Sequence, residues 1–252
     1  MKIFKKALPV LIIFFMLFSS ADALSFLENR GTVKVIMYHR ICTDKNCKEL
    51  YCITPDEFES DLKYFKNRGY KSAFASSLAD LNRKGNKYVV ITFDDGYKSD
   101  IEYAYPLLEK YGYCATFFVF GEAVGTDRYM TADNIKTLSQ KKYAEIGNHT
   151  YKLHTKAPAV LNKLYSDPKS EKLILDDFKT NTEYLEKITG KKIITASYPN
   201  GEYSRSIDKK LKLLGYKTTF STEYYSFTGV YADKPIGRIT RSKGAKIEYV
   251  FK

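Results

Sequence analysis

Residues 87–111 read KYVVITFDDGYKSDIEYAYPLLEKY, and the first half of this stretch sets the fold. Lys87–Phe93 is a short, nearly continuous apolar run rich in β-branched and aromatic side chains, the pattern of a strand buried on both faces. Asp94, Asp95 and Gly96 break it, and a helix is expected from about Ser99 to Tyr111. The same unit recurs on either side. Upstream, Thr32–Tyr38 reads as a strand. Thr54-Pro55-Asp56-Glu57 then forms a capping box with Pro at the first helical position, opening a helix to about Asn67. Its apolar residues Phe58, Leu62 and Phe65 share one face, and Gly69 stops it. Downstream come a strand at Cys114–Phe120, a helix near Thr131–Gln140 and a short strand at Tyr143–Gly147. A long helix is expected from about Asp167 to Thr189, ended by Gly190. Strands at Ile193–Tyr198, Tyr216–Ser221 and Ile236–Thr240, with a helix around Ser204–Leu214, close the set. Strands separated by helices imply a parallel sheet with crossover helices, either an open doubly wound sheet or a closed barrel. No G-x-G-x-x-G follows the first strand and no P-loop is present, so the nucleotide-binding versions lose support.

The chain has 252 residues, 44% hydrophobic and 28% charged, which suits a single folded domain and excludes a disordered chain or a multi-span membrane protein. Residues 1–23 are set apart. Lys2, Lys5 and Lys6 precede an apolar run, Leu8 to Phe18, and Ala21-Asp22-Ala23 supplies the small residues of a cleavage site, the pattern of a secretory signal peptide. The run is well short of the roughly 20 residues that span a bilayer, which favours cleavage over an uncleaved anchor. The expected organisation is a signal peptide at 1–23 and one domain over 24–252, exported to the periplasm or the extracellular space. Formal charge falls from +12 to +10 on removing the three Lys and one Asp of that segment. Export turns this basic character away from nucleic acid and toward peripheral contact with an anionic envelope surface. In an oxidising compartment one disulfide within Cys42, Cys47 and Cys52 is expected, the pairing left open, with Cys114 apart from them. Their spacing matches no C-x-x-C zinc pattern.

The candidate chemistry lies at strand ends. In parallel α/β barrels the reacting groups come from loops after the carboxyl ends of strands. Asp94 and Asp95 follow Lys87–Phe93; successive residues leaving a strand face different sides, so one carboxylate can ligate a cation while the other faces the reacting centre. Gly96 permits the sharp turn. His149 and His154 follow the strand at Tyr143–Gly147. Five positions apart, they would not share a helix face, so a loop or broken turn must bring them together. Two imidazoles and one carboxylate make a three-ligand site with open positions, as a hydrolytic metal centre requires. His39 follows the first strand. The chain has only three histidines, and all three fall on the rim that carries Asp94 and Asp95.

TFDDG at 92–96, NHTYKLH at 148–154, SYPNG at 197–201 and MYHRI at 37–41 resemble the polysaccharide deacetylase family, carbohydrate esterase family 4 with its NodB-homology domain. They are most similar to its branch that de-N-acetylates poly-β-1,6-N-acetylglucosamine of biofilm matrices. The resemblance implies a distorted (β/α)7 barrel and a divalent cation, zinc above cobalt, nickel or iron, on Asp95, His149 and His154. It implies Asp94 as general base and His39 as general acid toward the leaving amine, with the backbone N–H of Asn200 facing the oxyanion. The implied substrate is an N-acetylated polysaccharide, and nucleic acid is not an expected partner. A peptidoglycan or lipid-linked sugar deacetylase, and a catalytically degenerate glycan-binding barrel, stand as alternatives. Two departures sharpen the picture. The arginine that pairs with the catalytic aspartate in many members is absent from the SYPNG stretch; Arg238, in PIGRI at 235–239, is a candidate to supply a charge to the rim, or else a solvated arginine on a late strand. The chain has no Trp, so Tyr must do the stacking on sugar, with Tyr38, Tyr151, Tyr198, Tyr203, Tyr224 and Tyr225 as candidates.

Overall fold

The computed structural model describes residues 31–44, 47–223 and 233–251. The signal segment at 1–23 and the candidate tyrosines Tyr224 and Tyr225 lie outside these residues. The chain runs β1 (Thr32–Tyr38), β2 (Arg40–Ile41), β3 (Cys52–Ile53), α1 (Pro55–Asn67), β4 (Tyr70–Ser72), β5 (Lys87–Phe93), α2 (Tyr105–Tyr111), β6 (Ala115–Val119), α3 (Ala132–Ser139), β7 (Ala144–Asn148), α4 (Pro158–Ser166), α5 (Glu171–Thr189), β8 (Thr195–Ser197), α6 (Arg205–Leu213), β9 (Thr218–Phe220), β10 (Ile239–Thr240) and α7 (Ile247–Val250). The capping box forms as read: Thr54 Oγ1 accepts from Glu57 N at 3.1 Å, and Glu57 Oε2 accepts from Thr54 N at 2.8 Å.

Every pairing in the main sheet is parallel, in the order β10-β1-β5-β6-β7-β8-β9. β4 shares an edge of β5 with β6, pairing over Lys87–Val89 where β6 begins only at Ile91. Tyr38 is in register with Phe93, Phe93 with Phe117, Val119 with Asn148, Asn148 with Ala196 and Ser197 with Phe220. This register puts the carboxyl ends of the strands on one rim. The curl closes because Ile236 bridges Phe220 of β9 while Ile239 and Thr240 of β10 pair with Ile36 and Met37 of β1. The architecture is thus the distorted seven-stave barrel with outer helices, in a single domain.

Two apolar layers fill it. Outside the sheet, Phe58, Leu62 and Phe65 of α1 pack with Ile36, Ile91, Phe93 and Phe117. Inside, Val33, Val35, Val90, Phe118, Phe220 and Ile236 form the barrel interior. The period of two along β5 sends Val89, Ile91 and Phe93 outward and Val90 inward, which places Thr92 and Asp94 above the interior apolar plug.

Several element bounds differ from the sequence expectation. The long helix begins at Glu171 rather than Asp167, because Pro168 opens a separate turn, and a further helix α4 precedes it. The two-residue strands β2 and β3 form a small parallel sheet of their own, a length too short to show any periodicity.

Candidate active site

The turn after β5 is built from two left-handed residues in succession, Asp95 (φ 78°) and Gly96 (φ 76°). A Cβ on Gly96 would press on Val119 Cγ1 at 3.0 Å, so this glycine answers both the dihedral and the close approach of β6. Among the described residues only three non-glycine residues have positive φ: Asp95, Thr150 and Asn200. Each belongs to a different rim loop and each adjoins a predicted site position. A β-branched residue such as Thr150 at φ 70° costs of order 1–3 kcal/mol. Asn148 supports it. Its Oδ1 accepts from Thr150 N at 2.7 Å, while its Nδ2 donates to Phe178 O, Thr182 Oγ1 and Tyr216 Oη.

His149 and His154 meet as the broken turn requires. His154 sits in a single 3-10 turn, Leu153–Thr155, and stacks on Phe120 with ring centroids 4.4 Å apart. His149 Nδ1 lies 2.8 Å from Ser197 O; a carbonyl can only accept, so Nδ1 carries the proton and Nε2 presents its lone pair. That lone pair faces Asp95 Oδ1 at 3.4 Å, and His154 Nε2 is 2.8 Å from the same oxygen. Asp95 Oδ1 is buried with no hydrogen-bond donor among the described residues. Ligand atoms of Asp95, His149 and His154 lie within 4.8 Å of one another. Facing electron pairs from N and O donors in a buried setting fit a divalent cation.

Asp94 is gripped from across the barrel. Arg238 Nη1 donates to Asp94 Oδ1 and Nη2 to Oδ2, both at 2.7 Å, a bidentate pair. The guanidinium also donates to Thr92 Oγ1, Ser197 Oγ and Ser221 O. It lies over the Phe118 and Phe220 rings of the barrel interior at 5.8 and 5.7 Å. Ser197 Oγ accepts from Arg238 and donates to Asp94 Oδ2 at 3.1 Å. Burial opposes ionisation of Asp94, but Arg238 outweighs it and keeps the carboxyl below its ordinary range. Three of the roughly four acceptor positions of the carboxylate are thereby filled, leaving one for a proton from outside. The arginine missing from the SYPNG stretch is thus supplied by a late strand.

His39 borders the same cavity of about 270 Å³, together with Asp94, Asp95, His149, His154, Asn200 and Tyr51. Its ring stacks on Tyr51 at 4.8 Å. Burial lowers the His39 pKa; Asp95 and Asp94 act in the opposite direction without reversing it. Asn200, at φ 54°, also lines the cavity. Four of the candidate sugar contacts do not. The Tyr198 ring is buried in the core and its hydroxyl donates to Asp208 Oδ1 at 2.9 Å; a residue leaving β8 alternates faces, and this one points outward under α6. The Tyr151 ring packs edge-on to Tyr184 and over Gly121, where a Cβ would meet it at 2.2 Å. Tyr38 is likewise in the core, bonded to Asp61 Oδ2, and Tyr203 packs beside Tyr198. The aromatic ring on the cavity is Tyr51, which no motif marked. Ser197 also escaped notice, although its place at a strand end could have drawn attention to it.

The polysaccharide deacetylase family profile matches residues 82–219, a span holding Asp94, Asp95, His149, His154 and Asn200 but neither His39 nor Arg238. The chain is 30% identical over 203 residues to the poly-β-1,6-N-acetyl-D-glucosamine N-deacetylase of Staphylococcus aureus, covering 77% of this chain and 69% of that one. It is 29% identical over 203 residues to YxkH of Bacillus subtilis, covering 78% of this chain and 66% of that protein's length. Among solved structures, IcaB from Ammonifex degensii superposes with a TM-score of 0.74 at 25% identity, over 88% of this chain and 96% of that one. With its rim carboxylates and histidines placed as described and its middle half matched by the family profile, this chain belongs to the polysaccharide deacetylase family.

Proposed function

We propose that the protein is an exported, metal-dependent N-deacetylase of a poly-N-acetylglucosamine-like polysaccharide. The observation that carries this reading is the pairing of Asp94 with Arg238 beside the Asp95–His149–His154 cluster in one cavity: a carboxylate held ionised next to a cation site. When bound, a divalent cation supplies Lewis acidity toward the acetamide carbonyl and makes water easier to deprotonate; Asp95, His149 and His154 would hold it, and zinc suits their donor set.

The protein's own groups divide the remaining work. Asp94, with one acceptor position open, takes the proton of the attacking water, and Arg238 fixes the angle at which it does so. The Asn200 segment, turned into the left-handed region at the cavity wall, would offer its backbone N–H to the oxyanion. His39, which borders the same cavity, would protonate the departing amine; burial lowers its pKa, which makes its protonated form the stronger acid. Gly201 must remain glycine for that loop, since a Cβ there would lie 2.2 Å from Thr222 Oγ1. The complete Asp94–Arg238 pair removes the motive for a degenerate binding barrel, which rested on the missing motif arginine.

The substrate class follows the name of the Staphylococcus aureus relative. Among the described residues no helix is long and apolar enough to cross a membrane; export rests on the signal segment at 1–23, with cleavage leaving one domain over 24–252. The test is acetate release across poly-β-1,6-N-acetylglucosamine, chitin oligomers and peptidoglycan, with metal content measured on the same sample. Preference for peptidoglycan would move the assignment to that class, and no acetate from any of them with metal bound would end it.

A further inference from the structure

Away from the barrel rim cluster, Cys42, Cys47 and Cys52 bring their Sγ atoms within 4.8 Å of one another. β2 and β3 hold two of them: Arg40 is in register with Cys52, and Cys42 N donates to Ile53 O at 2.8 Å. Among the described residues between these strands, no side chain other than a cysteine is buried. Thr43, Asp44, Lys48, Glu49, Leu50 and Tyr51 are all exposed, whereas Cys42 and Cys52 are only 5% and 3% exposed and Cys47 is half-buried. Glu49 pairs with Arg40 and Arg128, but exposed ion pairs contribute little. What the segment turns inward is sulfur.

We propose that Cys42, Cys47 and Cys52 form a three-thiolate site for a thiophilic d10 cation such as Zn2+, distinct from the Asp95–His149–His154 cluster, which fastens the segment carrying Tyr51 against His39. A disulfide joins two sulfurs and leaves the third beside it unused; a shared cation uses all three. Sulfurs at ~2.3 Å from a tetrahedral ion stand about 3.8 Å apart, inside the observed limit, whereas a disulfide requires ~2.05 Å between one pair alone. Cys114 takes no part, since it lies at the start of β6, where its N–H donates to Ser72 Oγ.

Two cations border the cluster. Cys42 and Cys52 both act on the Arg40 guanidinium to strengthen its hold on its proton, and Lys243 Nζ donates to Cys47 O. Each sulfur that joins the cation as thiolate releases one proton. Tyr51 follows directly before Cys52, so the cation would hold the ring that stacks on His39.

The test uses the purified full chain, reduced, stripped of metal, freed of reductant without oxygen and titrated with Co2+. A thiolate-to-cobalt charge-transfer absorption should appear and saturate at about one thiolate-bound ion per chain. Imidazole and carboxylate ligands do not give that band, so the other cluster does not mimic it. In the same chain, Zn2+ should protect three of the four cysteines from alkylation, and a chelator should expose them again. Cys47→Ser, at the least buried of the three positions, should abolish the band and the protection. Absence of the band in the wild type, unaltered alkylation with Zn2+, or a disulfide between any two of the three in protein isolated without reductant would each overturn the proposal.

Discussion

Replacing Arg238 by Met removes the charge and leaves a side chain of similar length. The structure gives the size of the effect. Arg238 is 1% exposed and makes five hydrogen bonds, two of them to Asp94. Deleting one partner of a buried ion pair costs about 3–5 kcal/mol, because the other charge stays buried without compensation. For a domain of this size that is a fall of about 6–20 °C in Tm. The pH dependence carries the sharper signature. In the wild type Asp94 is held below its unfolded value, so the pair's stabilisation is complete above the ordinary carboxylate range and fades only as pH falls through the lower folded value. Without Arg238, burial is left to push the Asp94 carboxyl up. The variant's stability deficit should then be largest near neutrality and shrink as pH falls. The acid limb of kcat/KM should move to higher pH, with activity falling about tenfold per pH unit below it. Thermal melts and acetate-release rates measured from pH 4 to 9 test both. If activity falls by the same factor at every pH and the limb stays put, Arg238 does not act through Asp94.

Further outcomes follow from the same geometry. His39→Gln should lower acetate release by about 10²–10⁴ with bound metal and Tm unchanged; loss of metal, read by elemental analysis, would place His39 among the ligands instead. Asn148→Ala removes a partner from Thr150 N, Asn181 Nδ2, Phe178 O, Thr182 Oγ1 and Tyr216 Oη together and should destabilise by about 3–5 kcal/mol, at about 1 kcal/mol per hydrogen bond, and weaken metal retention. Melts and equilibrium dialysis check this. Asp100 is fully buried with neither carboxylate oxygen bonded by a side chain or backbone group among the described residues. Burial, then the charges of Asp95 and Asp94, push it well up. A raised folded pKa makes it destabilising above the ordinary carboxylate range, so Asp100→Asn should raise Tm at pH 7, by about 2–4 °C per kcal/mol recovered, with the gain vanishing near pH 4. A lower Tm at pH 7 would show that the carboxylate has a needed partner.

Much of this fold was legible because its signals are local. The capping box at Thr54, the buried run at Lys87–Phe93 and the stop at Gly190 each express a preference of a few neighbouring residues. The rim residues were legible through one rule, that a parallel barrel works at its strand ends, and Asp94, Asp95, His39, His149 and His154 all sit there. The arginine's partner was not. Arg238 and Asp94 are 144 positions apart, and their contact depends on ring closure through Ile236 and β10, a property of the whole sheet. Tyr198 was misjudged for a related reason: its motif lies on the rim, but the side-chain alternation at the end of β8 turns the ring into the core. The strain at Thr150 likewise cannot be read from composition, since a β-branched residue is disfavoured there and is held by contacts from afar, Asn148 Oδ1 on its N–H and Gly121 N on its carbonyl. Tyr51, which lines the cavity, lies on a segment whose two-residue strands carry no periodic signal.

The account rests on Asp94 as the base beside a bound cation. The direct test is acetate release from poly-β-1,6-N-acetylglucosamine by wild type and Asp94→Asn, each with its metal content measured. Wild type should release acetate in proportion to bound metal, and Asp94→Asn should bind the metal yet lose activity by about 10²–10⁴. Acetate release by the metal-loaded Asp94→Asn variant at the wild-type rate would contradict it.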